Sequence, residues 1–84
     1  MSRGHILVVD DDDAMRRSLH EDLVDLGFTC ENVASIALAR QALDAADIDA
    51  VVTDVRLAGE DGVRFCASLN STRPEIPVVV MSPA

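Results

Sequence analysis

Two short apolar runs, each stopped by aspartate, constrain this chain more than anything else in it. Ile6-Leu7-Val8-Val9 runs into Asp10-Asp11-Asp12-Asp13, and Ala50-Val51-Val52-Thr53 ends at Asp54. Neither run alternates apolar with polar, as a strand with one wet face would, so both read as parallel strands covered on both sides. Such strands belong to open α/β sheets, whose chemistry sits at the C-terminal edge. As parallel neighbours they bring Asp10 and Asp11 beside Asp54, and three carboxylates share one pocket.

The sequence between the runs has helical spacing. Asp12 or Asp13 can cap a first helix, since a carboxylate accepts from free backbone N–H groups and suits the positive end of the helix dipole. Met15, Leu19, Leu23 and Leu26 recur on one face of it, with Arg16, Arg17, Glu21 and Asp22 elsewhere on the wheel, and Gly27 stops it. Phe28 to Val33 reads as a weaker strand interrupted by Glu31 and Asn32. Ser35 then caps a helix that turns Ile36, Ala39, Ala42 and Leu43 inward and Arg40 and Gln41 outward. After Asp54, Leu57 to Gly62 reads as a loop with two glycines. Val63, Phe65, Cys66 and Leu69 open a third helix that stops before Pro74, and Val78-Val79-Val80-Met81 forms a fourth strand. The order is βαβαβαβ, and right-handed crossovers place helices on both faces of the sheet. The last strand is apolar enough for burial on both faces, yet nothing that follows it covers it. An exposed edge of that kind is a template for pairing with another chain, so self-association through Val78 to Met81 is expected.

At 84 residues the chain is one small domain. Its net charge of −8, with seven scattered basic residues, argues against a nucleic-acid surface, which needs clustered Lys and Arg. Cys30 and Cys66 have no metal-ligand spacing and read as buried, reduced thiols of a cytoplasmic protein. No apolar run approaches the roughly 20 residues that span a bilayer, and the N-terminus has no signal-peptide core. His5 and His20 lack partners at ligand spacing and read as surface residues.

Carboxylates gathered at one sheet edge need a reason. Two of them about 4 Å apart repel by roughly 4 kcal/mol at an effective dielectric of 20, so the cluster either holds protons or finds a cation. Mg²⁺ is the natural choice, because it takes oxygen ligands, keeps several waters and binds through one or two carboxylates together with phosphate oxygens. A carboxylate beside such an ion can attack phosphorus to form an acyl phosphate, and Asp54, alone at its strand end, is the candidate nucleophile. Taken singly, each feature has an ordinary reading: four aspartates cap a helix and fill a solvated loop, and a strand-end aspartate starts a turn. The conjunction of both strand ends, with Ser82 ending a third strand at the same edge, favours phosphoryl chemistry.

Val8-Val9-Asp10-Asp11-Asp12, Met15-Arg16-Arg17, Thr53-Asp54-Val55-Arg56-Leu57, Gly59 with Asp61-Gly62, and Ile76-Pro77-Val78-Val79-Val80-Met81-Ser82 together resemble the receiver domain of bacterial two-component response regulators. The resemblance implies a flavodoxin-like, doubly wound parallel sheet with strand order 2-1-3-4 over residues 1–84. It implies that a sensor histidine kinase or phosphotransfer protein phosphorylates Asp54. Asp10 and Asp11 would hold Mg²⁺ together with Asp54 and the backbone carbonyl of Arg56, and Ser82 would bond the phosphoryl group. The first helix, around Met15 to Leu19, would be the kinase-docking face. A domain of this family is an acceptor of phosphate, not an enzyme with turnover. The family's fourth helix, fifth strand and fifth helix, and the lysine that follows the fifth strand, fall beyond Ala84. Ala58 replaces a common proline, and Pro83 stands where the family offers a backbone N–H. The alternative is a truncated, non-catalytic receiver that dimerises or docks through its uncovered sheet. A haloacid-dehalogenase-like phosphatase would want a hydroxyl residue where Met15 stands. A flavin-binding flavodoxin would have its phosphate repelled by the four aspartates.

Overall fold

A computed structural model of the chain describes residues 3–54, 56–57 and 60–81. Four parallel strands form the sheet: β1 (His5–Val9), β2 (Thr29–Val33), β3 (Ala50–Asp54) and β6 (Val78–Met81), in the spatial order β2-β1-β3-β6. This is the expected 2-1-3-4 arrangement of a flavodoxin-like sheet. Three helices connect them: α1 (Asp13–Asp25), α2 (Ile36–Ala45) and α3 (Gly62–Thr72). Between β3 and α3, where a loop is expected, two short strands pair antiparallel, β4 (Arg56–Leu57) with β5 (Glu60–Asp61). Arg56 pairs with Asp61 and Leu57 with Glu60, so part of the segment read as a loop is held by strand pairing.

The helix termini follow local chemistry. The Asp12 carboxylate accepts from the Ala14 and Met15 N–H groups and starts α1. At the other end Gly27 adopts φ +98°, the left-handed region that suits glycine. There its N–H donates to the Val24 carbonyl and that of Phe28 to the Leu23 carbonyl, the paired bonds of a Schellman stop. Ser35 caps α2 by accepting from the Leu38 N–H. The α2 carboxyl end is closed by Arg73, which donates to the Leu43 carbonyl at 3.2 Å and to the Asp44 carboxylate at 2.7 Å.

Alternation along the strands assigns the two faces of the sheet. Leu7, Val9 and Val51 meet Ala39 and Leu43 of α2 and Phe65 and Leu69 of α3 in one core, closed by Ile48 and Ile76. The Arg40 guanidinium lies 5.5 Å over the Phe65 ring and covers that side of the core. Ile6 and Val8 are buried too, although they point to the other face, towards α1. There the apolar face of the amphipathic α1 is only partly covered. No residue of α1 is buried: Leu19 and Leu23 are half-covered, while Met15 (49%) and Leu26 (60%) are exposed. Helices α2 and α3 share one core on their face, whereas α1 packs on β1 and β2. On β6, Val79 and Val80 are about half exposed, as expected of an apolar strand left uncovered. Both cysteines are half-buried free thiols, and burial pushes each thiol pKa up.

His5 corrects another expectation. Its ring nitrogens meet the Thr29 hydroxyl at 2.6 Å and the Glu31 carboxylate at 2.9 Å, because the β1–β2 register sets His5 opposite Thr29 and residues 29 and 31 share a face. His20 likewise reaches the Asn32 side chain at 3.2 Å. Partners supplied by strand pairing are invisible to spacing along the chain.

Candidate functional site

The strand register brings the two aspartate-terminated runs together. Val9 lies opposite Thr53, so one further step along the parallel strands sets Asp10 beside Asp54. On its other side Asp54 lies opposite Met81 of β6. The three acidic groups differ in exposure: Asp10 is 1% exposed, Asp54 is half-buried and Asp11 is open to solvent. Thr53 is fully buried beneath them, and its hydroxyl donates to the Asp54 carbonyl at 3.2 Å.

Burial is the largest influence on Asp10 and pushes its carboxyl pKa above the ordinary 3.8. The Asp12 N–H, donated to Asp10 Oδ1 at 2.9 Å, works against that rise. The charges of Asp54, Asp11 and Asp12 then add to it, in that order. A buried carboxyl pressed by like charge holds its proton longer, or is relieved by a cation.

The four consecutive aspartates have separate duties. Asp10 faces inward. Asp12 is the helix cap, its Oδ1 accepting from Ala14 N–H at 2.9 Å and Met15 N–H at 3.1 Å. Asp13 is the first helical residue and pairs with the Arg16 guanidinium. Arg16 also donates from Nη1 to the Asp10 backbone carbonyl at 2.8 Å. The helical wheel turns Arg16 away from the site, yet its long side chain runs back toward the helix N-terminus, as helical side chains do. The Asp13–Arg16 spacing of three residues was the available sign of that pairing.

Among the described residues no three His, Cys, Asp or Glu side chains converge to hold a metal ion by themselves. Asp10 is buried while Asp11 is open to solvent, so the acidic edge reaches water on one side. Such a donor set fits a hard ion that keeps most of its waters and uses one or two carboxylates, which is the habit of Mg²⁺. Arg56 lies two residues beyond Asp54, its backbone in β4 opposite Asp61. Ser82 follows Met81 directly in sequence and lies outside the described residues, as do Ala58, Gly59 and Pro83. Met15 and Leu19 stand on α1 with Met15 exposed.

A cavity of about 590 Å³ opens at the opposite edge of the sheet, lined by Asp47, Asp49, Arg73 and Glu75 among others. It shares no residue with the acidic edge.

Comparison with known proteins adds a family. The model of the response regulator receiver domain matches residues 6–84. The chain is 42% identical over 82 residues to the transcriptional regulatory protein TcrA of Mycobacterium tuberculosis, covering 98% of this chain and 32% of that protein. It is 33% identical over 82 residues to the DNA-binding transcriptional regulator NtrC of Escherichia coli, covering 98% of this chain and 18% of that one. The chain thus spans about a third or less of the length of these curated relatives. Its fold superposes on the MaeR response regulator bound to beryllium trifluoride with a TM-score of 0.88 at 29% identity, over 100% of this chain and 69% of that one.

Proposed function

Because the chain belongs to the response regulator receiver domains of two-component signalling, we propose that it accepts a phosphoryl group on Asp54 from a sensor histidine kinase or a phosphotransfer protein. The observation that carries this reading is the meeting of two strand ends: half-buried Asp54 beside Asp10, whose buried carboxyl is pressed by like charge. In the transfer an Asp54 carboxylate oxygen forms a bond to phosphorus as the donor's P–N bond breaks, leaving an acyl phosphate on this chain and a free imidazole on the donor. A bound Mg²⁺ would offset the charge of the transferring group. Asp10, Asp11 and Asp54 would hold the ion with the Arg56 carbonyl, and the Ser82 hydroxyl would bond a phosphoryl oxygen. The MaeR relative, with beryllium trifluoride bound, supports the assignment, since that anion resembles a phosphoryl group in size and charge. The chain acts as a stoichiometric acceptor, not as an enzyme with turnover.

The α1 surface around Met15 and Leu19 is the donor's docking face in this reading. No helix among the described residues is long and apolar enough to cross a membrane, and we place the reaction in the cytoplasm. Exposure of Val79 and Val80 favours one further property, association of two copies along β6. Light scattering at rising concentration reads it directly, and a strictly monomeric species with exchange-protected β6 amides would contradict it.

The test of phosphorylation is intact mass after incubation with acetyl phosphate and Mg²⁺, beside an Asp54→Asn variant and an EDTA control. One phosphoryl group is added to the wild-type chain and none to either control. A folded wild-type chain that gains nothing refutes the reading and leaves docking as the role of the domain.

A further inference from the structure

We propose that Arg16 is a positioning residue for the acidic pair, a guanidinium clamp that fixes where Asp11 stands relative to Asp10. The inference rests on the Mg²⁺-binding role given to those two residues above.

Asp10 and Asp11 share a peptide plane, and the Asp10 carbonyl oxygen lies in it. Arg16 Nη1 donates to that oxygen at 2.8 Å while Nη2 pairs with the Asp13 carboxylate. One planar, rigid fork therefore ties the end of β1 to the first residue of α1 across the turn that carries both proposed ligands. Other bonds fasten the residues on either side of this plane. The Asp10 N–H is spent on the Val33 carbonyl at 3.1 Å, the Asp12 N–H on Asp10 Oδ1 at 2.9 Å, and the Asp12 carbonyl on the Arg16 N–H at 2.9 Å. Those bonds hold residues 10 and 12, and the guanidinium bond acts directly on the tilt of the peptide between 10 and 11. That tilt decides the direction in which the exposed Asp11 side chain leaves the backbone.

Arg16 carries two opposed effects on a bound cation. Its charge repels the ion, and its geometry pre-shapes the ligand pair. A role through charge alone and a role through geometry therefore predict opposite outcomes when the charge is removed. Partners that orient metal ligands commonly change affinity by about tenfold or more when lost.

The experiment is Mg²⁺ titration of the full chain by calorimetry, with the amide resonance of Asp11 followed by NMR. It uses wild type, Arg16→Met, Arg16→Lys and Arg17→Met, at a temperature where circular dichroism shows each folded. Arg16→Met keeps length without charge or fork, and Arg16→Lys keeps charge without the fork. Arg17→Met makes the same charge change at the exposed neighbouring arginine. Clamping predicts that both Arg16 variants bind Mg²⁺ about tenfold more weakly, that their Asp11 amide shifts before any metal is added, and that Arg17→Met binds as wild type does. Unchanged or tighter binding by folded Arg16→Met, or wild-type affinity in Arg16→Lys, overturns the proposal while leaving the metal site in place. If the wild-type chain shows no saturable Mg²⁺ binding, the metal site and the clamp fall together.

Discussion

Replacing Asp12 tests whether the four aspartates have different jobs. The Asp12 carboxylate satisfies two of the free N–H groups that open α1, those of Ala14 and Met15. Losing an N-cap to alanine costs about 0.5–2 kcal/mol, and two accepted bonds put this cap near the upper half, about 1.5 kcal/mol. Asp12 also presses its charge on Asp10, so a simple Asp12→Ala measurement mixes a loss with a relief. Comparing Asp12→Ala with Asp12→Asn separates them: both remove the charge, and only asparagine keeps an Oδ1 acceptor. For a domain of 84 residues, 1 kcal/mol moves the melting midpoint by roughly 4–8 °C. The asparagine variant is therefore expected to melt about 6–12 °C above the alanine variant, read by far-ultraviolet circular dichroism in one buffer. Asp11→Asn leaves the cap in place and removes another charge that presses on Asp10, so it melts no lower than wild type. Alanine and asparagine variants melting within about 2 °C of each other would refute the division of labour.

Asp10 gives a pH test. Its carboxyl pKa is raised in the folded state, so the native chain holds that proton to higher pH than the unfolded chain does. The associated stability is complete below the ordinary value of 3.8 and is lost as pH climbs through the raised one. Asp10→Asn removes that loss while keeping an acceptor for the Asp12 N–H, so urea unfolding should show the variant gaining on wild type between acidic and neutral pH. A gap that does not change with pH would contradict it. Phe65, 1% exposed in the core, should cost about 3–5 kcal/mol when replaced by alanine, much of a small domain's stability; a loss under about 1 kcal/mol in denaturant titration would show a pliable core. Gly27→Ala should lose about 1–2 kcal/mol through its positive φ, since the added Cβ meets only the flexible Arg3 side chain at 3.4 Å. Equal stability of that variant and wild type would mean the helix stop does not need glycine.

The sheet and its acidic edge were legible in sequence because each rests on contiguous residues. An apolar run of four or five with no polar interruption has few places to go besides a buried strand, and its terminating aspartate is fixed at the strand end. Once register is granted, Asp10 and Asp54 must meet. Four things were less legible, for one common reason. His5 finds Thr29 and Glu31 only through the β1–β2 register. Arg16 reaches Asp10 only because a long side chain folds back over the turn. The choice of Asp12 over Asp13 as cap depends on where the backbone leaves extended geometry, at Asp12 φ −86°, ψ 112°. The exposure of Met15 and Leu26 depends on what stands beside α1, and a hydrophobic wheel records only what a helix could bury. In each case the deciding factor is three-dimensional geometry that residue identity and spacing do not record.

The central claim is that Asp54, and no other carboxylate of the acidic edge, takes the phosphoryl group. Reduction of the phosphorylated chain with borohydride converts an aspartyl phosphate to homoserine, and tryptic digestion then separates the candidates cleanly. Asp10 to Asp13 lie in the peptide Gly4 to Arg16 and Asp54 lies in the peptide Gln41 to Arg56. Fragmentation spectra should place homoserine at position 54 alone, with Asp44, Asp47 and Asp49 of the same peptide unchanged. Homoserine at Asp10, Asp11 or Asp13, or spread among the surface aspartates, would contradict the account.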